Sequence, residues 1–170
     1  IGNSLGGAVA LGLALEYPQL VEKLILMAPG GLSELADYQQ MSGMQKVFKV
    51  FGSGEPVTPA VMKDLFATGF MHDPKYATDE LVEERMQIMQ IMNGHVMATM
   101  RVPVLVDRLH ELQCPVLGFW GMNEKMMPEN GIMAMAKELD ISDMDMEDDD
   151  DDPMLLAKQL ATAHHHQSPQ

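Results

Sequence analysis

Apolar residues keep three different rhythms along this chain. From Ala8 to Tyr17 the sequence runs through Ala, Val, Leu and Gly with no charge before Glu16, the pattern of a helix buried behind a sheet. Pro18 stops it, and Lys23 to Met27 is a short apolar strand leading into Ala28-Pro29-Gly30-Gly31. A second strand, Pro115 to Trp120, is apolar throughout, the kind buried on both faces of a parallel sheet.

Between the two strands the period is helical. Ser33 is placed to cap a helix from Glu34 to Gln40, and Met44, Val47, Phe48 and Phe51 carry a helical stripe through Met41 to Phe51. Gly52 to Pro56 breaks the pattern. Thr58 then caps a helix with Pro59 in its first turn, and Thr78 opens a longer one from Leu81 to about Met97. Val104 to Leu112 reads as a short helix with Asp107 and Arg108 exposed, and Asn130 to Leu139 as another. The expected architecture is α/β, with parallel sheet segments at 1–31 and 102–141 and a helical insertion at 32–101. Helices inserted between two strands of such a sheet look like a lid. The block holds nine methionines, which suit either an adaptable apolar binding surface or a plain helical core.

From Ser142 the periodicity fails. Residues 142–170 form an acidic and histidine-rich tail, expected to be disordered apart from one isolated helix over Met154 to Ala163. Five consecutive aspartates, Asp148 to Asp152, repel one another and suit no strand. His164, His165 and His166 are adjacent, so they cannot converge as chelating ligands on a regular element, and no metal site is expected.

The net charge of −14 is concentrated in that tail: nine acidic residues lie between Asp140 and Asp152. The remainder has the ordinary acidity of a soluble enzyme, and nothing basic suggests nucleic acid. One cysteine, Cys114, excludes an intrachain disulfide, suits a reducing cytoplasm and is placed for core packing. No stretch reaches the length of a membrane span.

The candidate chemistry begins at the first residues. Gly2-Asn3-Ser4-Leu5-Gly6 matches G-x-S-x-G, a strand turning sharply into a helix with a serine at the bend. Gly2 and Gly6 are expected where side chains would clash, and Ser4 in a strained conformation that lifts its hydroxyl clear. The helix, Pro stop, apolar strand and P-G-G turn favour this over a glycine-rich turn with a solvated serine. Glu124 follows the Pro115–Trp120 strand. Open α/β sheets place their chemistry at that carboxyl end, so Glu124 is either the acid of a triad or a solvated loop glutamate. His72, His95 and His110 lie in or beside helices and are expected to be surface or packing residues.

Gly2-Asn3-Ser4-Leu5-Gly6-Gly7, Leu15 to Pro18, Lys23 to Gly31 and Phe119-Trp120-Gly121 together resemble the α/β-hydrolases that cleave carbon–carbon bonds. These are the meta-cleavage-product hydrolases of aromatic and steroid degradation, and the likeness runs from Ile1 to about Leu139. It implies a partial α/β-hydrolase fold acting on 2-hydroxy-6-oxo-dienoates with water as co-substrate and no metal or organic cofactor. By position it implies that Ser4 attacks or activates water and that the Leu5 N–H is one oxyanion donor. Asn3 would help orient the substrate, Arg85, following Thr78-Asp79-Glu80-Leu81, would bind its carboxylate, and Glu124 would be the acid.

Three departures accompany the resemblance. Glu124 stands where aspartate is usual, the histidine of a G-H-W loop is absent, and so is the oxyanion loop upstream of the serine. The chain therefore reads as a fragment with an aberrant end, inactive as it stands, cytoplasmic, and capable of homo-oligomerisation as relatives are. An esterase or lactonase on the same fold, and a non-catalytic remnant, are the alternatives.

Overall fold

The structure, a computed structural model, describes residues 1–99, 101–121 and 123–139, with the backbone of 144–145 and 159–160. In chain order its elements begin β1 (Gly2–Ser4), α1 (Leu5–Glu16), β2 (Leu24–Pro29), α2 (Leu35–Tyr38), α3 (Ser42–Gly52) and α4 (Pro59–Leu65). There follow α5 (Asp79–Ile91), α6 (Gly94–Thr99), β3 (Val116–Phe119), α7 (Glu129–Glu138), β4 (Met144–Asp145) and β5 (Gln159–Leu160). Two compact units result, Ile1–Glu34 with Val102–Gln170, and Leu35–Arg101.

The first unit is built on a sheet of order β1-β2-β3-β5-β4. β1, β2 and β3 are parallel, with Gly2 beside Leu26 and Leu24 to Met27 beside Val116 to Phe119. Parallel pairing of the two apolar strands, and a helix starting directly after Ser4, are what the sequence predicts. Leu11, Ala14 and Leu15 of α1 are buried, as are Leu24 and Leu26 of β2 and Ile132 and Met135 of α7. A salt-bridged Arg108 ties the 3-10 helix Val106–Glu111 to α1: its guanidinium meets Glu111 at 2.8 Å and Glu16 at 2.7 Å. Arg108 is thus paired and half-buried where the pattern predicted plain exposure.

Several expectations are corrected. Ser33 does not cap a helix. It is buried, and its hydroxyl donates to Asn130 Oδ1 at 2.9 Å, because a long-range partner outcompetes a four-residue helix. β3 is not equally buried on both faces, since Val116 and Gly118 are buried while Leu117 and Phe119 are half-exposed. Strand also occurs beyond Ser142. β5 runs antiparallel to β3, with Leu160 opposite Gly118, and β4 pairs Met144 with Leu160 and Asp145 with Gln159. Self-repulsion bears on the aspartate run, whereas these pairs set a neutral residue against each partner. The disorder expected for 142–170, and most of the helix expected over Met154 to Ala163, fall outside the described residues.

The second unit is helical among its described residues. Met62, Leu65, Phe66, Ala77 and Val82 form its core. Thr58 caps α4 by accepting from Val61 N–H at 3.3 Å, and Thr78 caps α5 by accepting from Leu81 N–H at 3.2 Å. α4 passes into a π-helical turn, Phe66–Phe70. The long helix expected to reach Met97 instead ends at Ile91. Asn93 breaks it by accepting the His95 N–H at 3.0 Å, a local bond that starts α6 afresh.

Candidate active site

Ser4 is both the last residue of β1 and the residue capping α1, and its φ of 51° and ψ of −122° lie where a side chain is strained. A serine at this position ordinarily spends its oxygen on the helix N–H groups; here it makes no capping bond. Among the described residues no group takes up the hydroxyl. The backbone is held on both sides of the bend. The β1–β2 register shifts between Asn3 and Ser4, and the Ser4 carbonyl accepts the Gly30 N–H at 2.7 Å. The glycine-rich turn after β2 therefore fastens the elbow from outside.

The glycines divide differently from the expectation. A Cβ on Gly2 would lie 2.5 Å from the Gly6 carbonyl oxygen, so Gly2 is sterically required. A Cβ on Gly6 would meet nothing within 4 Å, whereas one on Gly7 would lie 2.5 Å from Pro29 Cβ. Gly7, not Gly6, is the second required glycine, because α1 turns its Gly7 side onto the end of β2. The doublet Gly6-Gly7 carried that signal in the sequence.

Leu5 opens α1, so its N–H is among the first-turn donors that a helix leaves without an internal partner. No acidic residue occupies that turn. The positive end of the helix is thus free to meet negative charge developing beside Ser4. Asn3 is exposed, and its amide donates one hydrogen to the Met27 carbonyl at 2.9 Å, which leaves Oδ1 and the second N–H for another molecule.

Glu124 lies five residues beyond β3, and Ser4 ends β1; the two strands are parallel neighbours of β2, so both residues follow carboxyl ends on one edge of the sheet. The Glu124 carboxylate is half-buried and accepts the Met126 N–H at 2.7 Å, which fixes it within its own loop. Ser4 and Glu124 make no hydrogen bond to each other. Beside this loop Trp120 is 4% exposed, and its indole N–H has no partner among the described groups. Sequence pattern marked Trp120 only as strand.

Arg85 belongs to the other unit, on the exposed side of α5. Its guanidinium lies 6.0 Å from the centroid of the Phe66 ring, and no carboxylate pairs with it among the described residues. No group of three or more His, Cys, Asp or Glu side chains among the described residues is arranged to hold a metal. Cys114 is half-buried, and burial raises its thiol above the ordinary value.

Residues 1–150 match the family described as serine aminopeptidase, S33. The 2-hydroxy-6-oxo-6-phenylhexa-2,4-dienoate hydrolase of Burkholderia cepacia is 33% identical over 150 residues, 82% of this chain and 51% of the relative. A 2-hydroxy-6-oxononadienedioate/2-hydroxy-6-oxononatrienedioate hydrolase of Comamonas testosteroni is similar to the same extent, with the same coverage. The chain spans about half the length of these curated relatives. Among solved structures, a meta-cleavage product hydrolase from Pseudomonas fluorescens IP01 superposes with a TM-score of 0.60 at 20% identity, over 80% of this chain and 50% of the other.

Proposed function

This chain belongs to the α/β-hydrolases, in the serine aminopeptidase S33 family with meta-cleavage-product hydrolases as its kin, and from that premise we propose that it carries the nucleophile segment of a carbon–carbon bond hydrolase. The substrate class is a 2-hydroxy-6-oxo-dienoate, and water is the co-substrate. The single observation that carries the proposal is the strained Ser4 at the β1–α1 junction, whose hydroxyl makes no capping bond and has no partner among the described residues.

The chemistry follows from the placement of groups. Ketonisation of the dienol makes the bond next to the distal ketone cleavable, because the departing carbon is then stabilised by conjugation with the oxo-acid. Ser4, directly or through water, adds to the ketone. The Leu5 N–H and the start of α1 stabilise the resulting oxyanion, an effect worth about 10²–10³-fold for one donor. Collapse breaks the carbon–carbon bond and releases an enol; where water has added, the other product is the carboxylic acid, and where Ser4 has added directly, it is a Ser4 ester that water then hydrolyses to the acid, restoring the hydroxyl. Asn3 orients the dienoate through Oδ1, Glu124 is the acid that orients the base, and Arg85 pairs with the substrate carboxylate, for which a planar bidentate donor is suited. Residues 32–101 serve as the lid.

The carboxylate clamp separates this function from that of a simple esterase, which has no such anion to hold. In a full-length protein carrying this segment, Arg85→Ala is expected to lower dienoate turnover about 10–100-fold, the effect of losing a charged hydrogen bond, and to spare a neutral ester. Equal loss on both substrates would remove Arg85 from the site.

A further inference from the structure

One short segment holds both the elbow at Ser4 and the helix that closes the Glu124 loop. Residues 30–33 leave the carboxyl end of β2, which lies between β1 and β3 in the sheet. At the start of the segment the Gly30 N–H donates to the Ser4 carbonyl at 2.7 Å. In the middle Gly31, at φ 84°, accepts the Leu105 N–H at 2.7 Å through its carbonyl. At the end Ser33 donates its hydroxyl to Asn130 Oδ1 at 2.9 Å, in the first turn of α7. The segment is therefore fixed along its length.

Among the described residues, Ser33 is the one polar side chain that is buried. A buried hydroxyl left without a partner costs more than its bond contributes, so the bond to Asn130 is strongly specified. The packing around it is as exacting. A Cβ on Gly131 would lie 3.0 Å from Ser33 Oγ, 3.1 Å from Leu32 Cβ and 3.4 Å from Trp120 Cη2, so glycine lets α7 come this close. The acid loop runs from Trp120 at the end of β3 to Pro128 at the start of α7, and both ends are buried. Within it, Glu124 donates its N–H to the Gly121 carbonyl at 3.2 Å and accepts the Met126 N–H on its carboxylate at 2.7 Å. These bonds tie the loop to itself, and its placement against Ser4 is inherited from its two ends.

We propose that Ser33 is a positioning residue, a role that rests on the catalytic proposal for Ser4 and Glu124. Through Asn130 it sets the first turn of α7, and so the acid loop, against the same segment that fixes the nucleophile elbow. Ser33 acts through this bond and makes no claim on the substrate. Displacing one catalytic group by a small distance costs rate more than affinity, so its effect falls on kcat.

The test has two arms. In this chain, hydrogen exchange follows the amides of residues 123–127. Ser33→Ala and Asn130→Ala are expected to speed exchange there about tenfold, while Asn130→Asp, which still accepts the hydroxyl proton, leaves it at the parental rate. Asn130 is exposed, so its variants read the bond even if Ser33→Ala fails to fold. In a full-length protein carrying this segment, Ser33→Ala and Asn130→Ala are expected to lower kcat for the dienoate about tenfold with KM within about twofold, and Asn130→Asp to keep the parental kcat. Ser4→Ala is measured beside them. Turnover retained in Ser4→Ala would end the catalytic proposal itself. Turnover lost in Ser4→Ala but parental in Ser33→Ala and Asn130→Ala would overturn the positioning role alone. Unchanged exchange at 123–127 in Asn130→Ala, or an Asn130→Asp variant as slow as Asn130→Ala, would overturn it too.

Discussion

At the scale of single residues, the bend at Ser4 depends on which neighbours have side chains. Gly7→Ala is expected to destabilise the protein by about 1–3 kcal/mol, because the new Cβ meets Pro29 and the backbone of β2 cannot retreat. Gly6→Ala at the adjacent position meets open space inside a helix and is expected to be neutral or to stabilise by up to about 1 kcal/mol. Chemical denaturation of the two variants side by side checks the pair. A similar contrast tests the strain at the serine. Ser4→Gly accepts the positive φ without penalty, whereas Ser4→Ala keeps the Cβ, so glycine is expected to be the more stable by about 1 kcal/mol while both lose the hydroxyl.

At the scale of elements, the apolar runs were legible because burial and period coincide there: α1, β2 and β3 follow from Ala8 to Tyr17, Lys23 to Met27 and Pro115 to Trp120. The caps at Thr58 and Thr78 were legible for the same local reason, since their bonds reach only three residues. Ser33 was not, because its partner Asn130 is 97 residues away and no local pattern announces it. The break at Asn93 was hidden by apolar residues that continue past it. Arg108 joins two elements, and it gives a pH-dependent prediction. Its hydrogen bonds hold the Glu111 carboxyl below the ordinary value of 4.5. A lowered folded-state value means that this stabilisation is present above the unfolded value and is lost as pH falls through the folded one. Arg108→Met is therefore expected to lower thermal stability modestly at pH 7, with the difference from the parent shrinking as the pH drops below about 4.5. A difference that persisted at pH 2 would assign the effect to lost packing instead.

At the scale of the molecule, two parallel strand pairings bring the ends of β1 and β3 to one edge of the sheet, and that places Ser4 and Glu124 on the same side. The topology was legible from two apolar strands and an elbow; the lone β5 pairing opposite Gly118 was not, because a two-residue strand has no period to read. No histidine meets Ser4 among the described residues. General-base help is worth roughly 10²–10⁴-fold, and a serine without it is a weak nucleophile. The central claim is that Ser4 is the reacting serine of a dienoate hydrolase. Its most direct test is a chimera in which residues 1–139 replace the matching stretch of the Burkholderia cepacia hydrolase, assayed by loss of the coloured dienoate. The chimera is expected to turn over 2-hydroxy-6-oxo-6-phenylhexa-2,4-dienoate, and Ser4→Ala in it to lower the rate by about 10³-fold or more. A chimera that folds and hydrolyses simple esters but not the dienoate, or one that keeps its dienoate rate with Ser4→Ala, would contradict the claim.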